Sequence, residues 1–195
     1  MSRRLLLPIL MLIAGLAQPA FGRESLLADA FHAIESRPRE TPTGAQVEVA
    51  FSPRAGATEL VVKAISSAKK SILVAAYSFT SKPIAQALVA AHKRGVDVQV
   101  IVDKSQKSER YTSASFLANM GVPTRVDSKH KIMHDKFLVV DGQHVETGSF
   151  NFTSSAEQGN AENALVEWNN PKLAAIYAAN WREHWDHSEP YGARY

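Results

Sequence analysis

The chain contains no cysteine among its 195 residues. This absence excludes thiolate catalysis, cysteine-ligated zinc and disulfide bonds. A chain of this length buries a sizeable core without such cross-links, and its 45% hydrophobic content is typical of globular proteins. The composition therefore predicts one folded domain whose chemistry does not use thiols.

Long apolar runs are also scarce, and the longest lies near the N-terminus at Leu5–Ala17. Its 13 residues, interrupted by Pro8 and Gly15, are fewer than the about 20 that a membrane helix needs. Two arginines precede it, and small residues occupy positions −3 and −1 of a cut after Gly22. This pattern predicts a secretory signal over residues 1–22 and a soluble product in the periplasm or the medium. An uncleaved membrane anchor is the alternative interpretation.

The chain has little excess of either charge. It carries 22 basic and 19 acidic residues, and removing Arg3 and Arg4 with the signal leaves 20 against 19. Net charge therefore gives no argument for a nucleic-acid partner. Locally, residues 93–136 hold nine basic against five acidic side chains, whereas residues 137–195 hold three against eight. The basic stretch fits a phosphate-binding surface as well as it fits scattered, solvated lysines.

Apolar β-rich segments alternate with helical periodicity, which predicts an α/β fold with a mixed, mainly parallel β-sheet flanked by helices. Strands are predicted at residues 47–51, 71–79, 96–102, 123–126, 134–140 and 144–147 and within 158–167, and helices at 58–68, 82–94, 113–120 and 171–185. Residues 23–45 are predicted as a polar N-terminal arm, residues 46–187 as the folded domain and residues 188–195 as a C-terminal tail. Trp181 and Trp185 share one face of the last helix and are expected in the core.

Side chains able to bind and attack a phosphate are concentrated between His134 and Asn151. Because side chains two apart in a strand share a face, His134 and Lys136 project together. Ser149 and Asn151 follow the next predicted strand and add a hydroxyl and an amide. Imidazole, ammonium, hydroxyl and amide around one point can hold a phosphate oxyanion and attack its phosphorus. The sequence shows no acidic cluster for Mg²⁺, and we expect no metal and no cofactor.

The pattern HxK(x)4D(x)6GSxN, from His134 to Asn151, resembles the signature of the phospholipase D superfamily. The resemblance extends from about Val47 to Trp185 and is strongest with the small endonucleases of that family, such as those encoded on conjugative plasmids, that carry one motif per chain. The polar arm lies outside it.

The resemblance implies a role for each matched residue. His134 would form a covalent phosphohistidine, Lys136 and Asn151 would bind the phosphate oxygens, and Ser149 would support that pocket. The downstream acidic residue of the family has its candidate in Glu162, which would hold the far ring nitrogen of His134. We expect Asp141, at the far end of the strand, to serve a structural turn or salt bridge and not the chemistry.

A second histidine is needed to protonate the leaving oxygen and later to activate water. Larger family members carry two copies of the motif, and this chain carries one. A two-fold homodimer would bring His134 of both subunits to one composite site. We therefore predict an obligate homodimer.

The remaining histidines receive plainer interpretations. His130 lies four residues before His134, but the segment is predicted as strand, so we do not expect a metal pair there. His184 and His187 are expected to be solvated near the polar C-terminus. The candidate nucleic-acid-binding residues are Lys104, Lys107, Arg110, Arg125, Lys129, His130 and Lys131.

Three functions compete at this stage. The favoured one is an exported, metal-independent endonuclease with DNA as its expected substrate and RNA as a further candidate, with little sequence specificity and a marked salt dependence. The alternative is a phospholipase D-type lipid phosphodiesterase, although no stable membrane association is expected after signal cleavage. A non-enzymatic nucleic-acid binder with a relict site is disfavoured, because the set from His134 to Glu162 is intact.

Overall fold

The computed structural model describes residues 41–192 except residue 43. The predicted signal, most of the predicted arm and the last residues of the tail therefore lie outside the described residues. Within the described part, every helix is too short or too polar to span a membrane.

The described residues build one eight-stranded sheet in the order β1-β7-β6-β5-β2-β3-β4-β8. The strands are β1 Gln46–Ser52, β2 Ser71–Ala76, β3 Asp97–Asp103, β4 Thr124–Asp127, β5 Lys136–Val140, β6 His144–Gly148, β7 Glu162–Trp168 and β8 Glu189–Pro190.

The sheet is mixed, as the sequence predicts. Among the strands described, β2 pairs with β3 and β3 with β4 in parallel, whereas the other five neighbouring pairs are antiparallel. Parallel neighbours occur where a helix connects the strands, and antiparallel neighbours β5 and β6 are joined by a tight turn. Parallel pairing is thus confined to one part of the sheet, and among the described strands the pairing is mainly antiparallel rather than mainly parallel as the sequence predicted.

Helices flank the sheet on both faces. They are α1 Ala57–Ser67, α2 Lys82–Lys93, α3 Ser113–Asn119, α4 Ser154–Gln158 and α5 Pro171–His187, with a 3₁₀ turn at Lys104–Lys107. The four helices and the seven longer strands predicted from periodicity are confirmed within a few residues. Short α4 and the two-residue β8 have too little sequence for a period to show, and the sequence did not predict them.

Side-chain alternation along β5 divides the core into two layers. Leu138 belongs to the cluster that α1, α2 and α3 cover. Phe137 and Val139 point to the other face, where α5 contributes Trp181. The Trp181 ring is buried, stacks on Trp185 at 4.7 Å between ring centroids and donates its Nε1–H to the Val74 carbonyl at 2.9 Å. The predicted core position is confirmed for Trp181, whereas Trp185 is half-buried and packs against the same cluster.

The hairpin between β5 and β6 turns at Asp141 and Gly142, whose φ angles of 55° and 63° fit the left-handed residues of a type I′ turn. The Asp141 carboxylate accepts backbone N–H groups of Lys69, Lys70 and Ser71 at 2.7–3.2 Å. Partial burial opposes ionisation, but these donors outweigh it and lower the pKa of Asp141. The carboxylate thus joins the turn to the start of β2.

Glu146 places a carboxyl group inside the apolar core. Glu146, on β6 opposite Leu138 and Val166, is 1% exposed. Its Oε2 atom has no hydrogen-bond partner among the described residues. Burial raises the pKa of Glu146 to about 8, so the side chain is mainly neutral at pH 7.

Candidate active site

The motif residues meet at one end of three neighbouring strands. The register pairs Phe137 of β5 with Thr147 of β6, and Gly148 of β6 with Ala164 of β7. The start of β5, the end of β6 and the start of β7 therefore lie side by side. His134 and Lys136, then Ser149 and Asn151, and finally Glu162 occupy these three positions.

His134 and Lys136 are in direct contact. The Lys136 Nζ atom lies 3.2 Å from His134 Nδ1 and donates to the His134 carbonyl oxygen at 2.6 Å. The imidazole is exposed, whereas Lys136 is only 8% exposed. The sequence therefore placed this pair correctly, although the strand itself begins at Lys136 rather than at His134. An open imidazole next to a fixed cation suits attack on an anionic substrate.

The charge of Lys136 is set by opposing effects. Burial lowers the pKa of the Lys136 ammonium, and the carboxylates of Asp135 and Glu162 act against that shift. An ammonium with few water contacts gains more from an incoming phosphate oxygen than a solvated one does. The arrangement favours binding of an anion at Nζ.

Glu162 is held by one residue just after β6 and one just before β7. Ser149 Oγ donates to Glu162 Oε2 at 2.6 Å, and Asn160 Nδ2 donates to Oε1 at 3.0 Å. Ser149 Oγ also accepts the Asn163 backbone N–H at 3.1 Å. Among the described residues, the Glu162 carboxylate thus bonds to Ser149 and Asn160 and makes no hydrogen bond to His134. The bond from Glu162 to His134 that the family resemblance implied is therefore not present among these contacts.

Gly148 has a steric reason to be glycine. A Cβ atom at this position would lie 2.1 Å from the backbone oxygen of Asn163 on the neighbouring strand. Since real Cβ atoms do not approach a backbone oxygen so closely, any side chain here would push β6 and β7 apart. The close approach brings Ser149 within reach of Glu162.

Asn151 carries an unused hydrogen-bonding atom. Its Oδ1 is buried and has no partner within the described part of the chain. Buried amide oxygens are nearly always paired in folded proteins. The Asn151 amide therefore has bonding capacity open to a bound group.

Tyr77 is the site residue that sequence reasoning missed. Its ring lies 4.5 Å from the His134 ring, centroid to centroid, and Lys136 Nζ lies 5.2 Å from the Tyr77 ring centroid. The Tyr77 backbone N–H also donates to the Asp135 carbonyl at 3.0 Å. Its position directly after buried β2, which pairs with β5, was the available signal.

The predicted nucleic-acid-binding residues fall into two groups. Arg125 donates to the Ser188 hydroxyl at 2.9 Å and to its carbonyl, and lies over the Trp185 ring. Lys107 pairs with Glu189 at 3.0 Å, and Lys104 donates to the His130 carbonyl at 2.9 Å. These three side chains thus have partners within the protein.

The other four members behave differently. Arg110 lies 5.5 Å from the Tyr111 ring centroid, and His130 Nδ1 lies 3.1 Å from Asp127 Oδ2. Lys129 and Lys131 are exposed. Lys129 and Lys131 are therefore the members best placed to meet a polyanion. Both lie in the segment that leads to His134.

Comparison with known proteins agrees with this geometry. The family model described as "Cardiolipin synthase, PLD-like domain" matches residues 61–185. The chain is 38% identical over 136 residues to the phospholipase D of Rickettsia prowazekii, a match covering 69% of this chain and 65% of that protein. It is 34% identical over 123 residues to the mitochondrial cardiolipin hydrolase of Xenopus laevis, covering 63% of this chain and 58% of that one. The chain thus spans somewhat less than two thirds of either relative.

A solved structure gives a fuller match. Nuc, a phospholipase D family member from Salmonella typhimurium, is 48% identical and superposes with a TM-score of 0.74, covering 75% of this chain and 98% of that chain. The chain therefore belongs to the phospholipase D superfamily of phosphodiesterases. The resemblance that the motif suggested is confirmed, and so is the fold.

Proposed function

We propose that this protein is an endonuclease that hydrolyses nucleic-acid phosphodiesters through a covalent phosphohistidine and without a catalytic metal. The observation that carries the proposal is the pairing of exposed His134 with buried Lys136. Ser149, Asn151 and Glu162 lie beside this pair at the same end of the sheet. The 48% identity to Nuc over nearly all of that protein supports it.

The first chemical step follows from the contacts of Lys136. In the free protein its ammonium lies against Nδ1 of His134 at 3.2 Å. A phosphate oxygen competes for that ammonium, which leaves the imidazole with a lone pair for attack. An imidazole nitrogen forms the bond to phosphorus while the bond to the leaving oxygen breaks, and Lys136 stabilises the added negative charge.

The second step needs another proton donor. The leaving oxygen takes a proton from a second histidine, which then accepts one from the water that hydrolyses the phosphohistidine. We propose that this histidine is His134 of a second copy. An exposed apolar row on edge strand β1 supports self-association: Val47, Val49 and Phe51 are 48–59% exposed, and the next residue, Ser52, pairs with Glu162 of the site.

A lipid phosphodiester is the competing substrate, because two of the relatives are a phospholipase D and a cardiolipin hydrolase. The exposed lysines Lys129 and Lys131, in the segment before His134, favour the evenly spaced phosphates of a nucleic acid. We also propose export through the signal at residues 1–22. A periplasmic product whose N-terminus is Arg23 would support export, and a full-length membrane-bound product would contradict it.

The nuclease proposal is tested on residues 23–195 with plasmid DNA in excess EDTA. His134→Ala is compared with His92→Ala, which removes an imidazole on α2 away from the site. Circular dichroism on the same samples confirms that each protein stays folded. Cleavage by the wild type and His92→Ala, with loss in His134→Ala, is expected. If the folded wild type leaves DNA intact but releases the headgroup of a labelled phospholipid, the lipid function replaces the nuclease.

The dimer is tested by light scattering on the same preparation. We expect a mass of two chains and one active site per pair. Val49→Asp places a charge in the exposed apolar row and is expected to produce an inactive monomer. An active wild-type monomer would contradict the composite site.

A further inference from the structure

A second cluster of chemically active side chains lies beside the candidate active site. Asp127, His130, His184 and His187 bring one ligand atom each to within 4.8 Å of one another. Asp127 Oδ2 lies 3.1 Å from His130 Nδ1, 2.7 Å from His184 Nδ1 and 3.1 Å from His187 Nε2. Three imidazoles thus converge on one carboxylate oxygen.

The cluster is built from parts distant in sequence. Asp127 ends β4 and His130 follows it in the next turn, whereas His184 and His187 are three apart on the last turns of α5 and share one face. The expectation that His184 and His187 are solvated is wrong: their side chains are 11% and 17% exposed. The sequence analysis expected no metal pair at His130 and His134, and only the packing of α5 against β4 shows the neighbours of His130.

The Asp127 carboxylate is buried and therefore needs close hydrogen-bonding or charged partners. Its side chain is 0% exposed, and its Oδ1 already accepts the Lys129 backbone N–H at 2.9 Å. A buried anion needs close positive charge, from protonated imidazoles or from a cation.

The distances from Asp127 Oδ2 to the three imidazole nitrogens fit a shared cation as well as they fit hydrogen bonds. Four nitrogen and oxygen ligands at about 2.0–2.1 Å from Zn²⁺ in a tetrahedron lie about 3.3 Å apart. The oxygen-to-nitrogen distances of 2.7–3.1 Å are close to that edge length. Small side-chain movements would therefore open space for an ion at the centre.

The second nitrogen of His184 supplies an independent indication. His184 Nδ1 faces Asp127, while its Nε2 lies 3.6 Å from the Asp135 carboxylate. Metal-bound histidines characteristically give their other ring nitrogen to a carboxylate, which fixes the tautomer and the ring orientation. A histidine between two carboxylates is placed as a ligand would be.

We propose that Asp127, His130, His184 and His187 form a four-ligand structural site for Zn²⁺. Four protein ligands close the coordination shell, so the ion binds no substrate and takes no part in the phosphodiester chemistry. Three imidazole ligands and one carboxylate ligand suit Zn²⁺ better than Mg²⁺ or Ca²⁺, which prefer oxygen ligands.

The site joins β4, the segment 128–135 and α5. That segment carries exposed His134 at its end, and Asp135 contacts the cluster through His184. The ion would fasten the segment to the last helix. The proposal does not depend on the nature of the substrate, because it concerns binding of the ion.

The test is metal binding by the purified protein of residues 23–195. The protein is stripped with chelator and titrated with Zn²⁺ against a chromophoric competitor, and Co²⁺ is added separately to record its visible spectrum. We expect one Zn²⁺ per chain, a rise in melting temperature on Zn²⁺ addition and the strong absorption bands of tetrahedral Co²⁺. Asp135→Asn, which alters only the outer carboxylate, should weaken Zn²⁺ binding by about 10- to 100-fold.

Ligand variants separate a built site from incidental binding. His130→Gln changes a half-exposed side chain and should fold, and His187→Gln removes a more buried ligand. Both variants should bind Zn²⁺ at least about 10- to 100-fold more weakly than wild type and should lack the tetrahedral Co²⁺ spectrum. His92→Gln, on α2, should keep the wild-type Zn²⁺ affinity and the Co²⁺ spectrum. The proposal is overturned if folded wild type binds no stoichiometric Zn²⁺, or if His130→Gln binds it as tightly as His92→Gln does.

Discussion

Glu146 provides a quantitative test of the core, because its carboxyl is buried without a charged partner. Replacing it by glutamine keeps the shape and removes the ionisable proton. Burial raises the pKa of Glu146 to about 8 in the folded protein, against an ordinary value of 4.5. The unfolded chain ionises near that ordinary value.

The sign of the pH dependence follows from proton binding in each state. Below pH 4.5 both states hold the proton, and Glu146 contributes no slope. Between pH 4.5 and about 8 the folded state holds a proton that the unfolded state has lost, so the free energy of unfolding falls as pH rises. At about 1.4 kcal/mol per unit, the 2.5 units between 4.5 and pH 7 amount to about 3 kcal/mol.

The assay is urea unfolding at half-unit steps from pH 5 to pH 8, for wild type and Glu146→Gln. We expect the difference in unfolding free energy to change by about 3–4 kcal/mol across this range in favour of the variant. An unpaired amide N–H in the variant shifts all values by a constant and leaves the slope unaffected. Glu146→Met should give the same change in slope, and Glu183→Gln, exposed on α5, should give none. Parallel curves for wild type and both Glu146 variants would refute the reasoning.

Two further substitutions test how the strands hold the site. Gly148→Ala puts a Cβ against the Asn163 backbone oxygen, so it should cost about 1–3 kcal/mol of unfolding free energy in urea and should reduce activity. In Gly159→Ala the added Cβ would lie 3.6 Å from the Ser155 backbone oxygen, an ordinary contact, so this variant should retain stability and activity. Equal stability of the two variants would contradict the close approach of β6 and β7. Asp141→Asn should lose about 1–2 kcal/mol at pH 7. Because the pKa of Asp141 is lowered, its contribution is present above about 3.8 and is lost as pH falls, so a variant with an unchanged acid-side slope would count against the carboxylate contact.

Local pattern was enough to predict most of the fold. Each long strand or helix carries its own period and end signals, such as Pro83 in the first turn of α2 and Asp141-Gly142 between β5 and β6. Strand direction across the sheet depends on which elements pack together, and the sequence therefore overestimated parallel pairing.

In the candidate site as well, a contact between residues near in sequence was predicted, whereas contacts between distant residues were not. His134 and Lys136 were predicted as neighbours because they are two residues apart, and their contact is present. Tyr77 and the partners of Glu162 depend on the register between strands, which no local pattern encodes. His184 is the extreme case, since its partner Asp127 is 57 residues away.

The Asp141 turn helps to set the register of β5 and, with it, the face on which Lys136 lies. Lys136 and Asp141 stand at opposite ends of β5, and the carboxylate fixes that strand against the start of β2. A slip of one residue would exchange the two faces of β5 and carry Lys136 to the side covered by α5. One end of the motif thus supplies the reacting groups and the other keeps them in alignment, so a graft of His134 and Lys136 into another sheet would need its own Asp141.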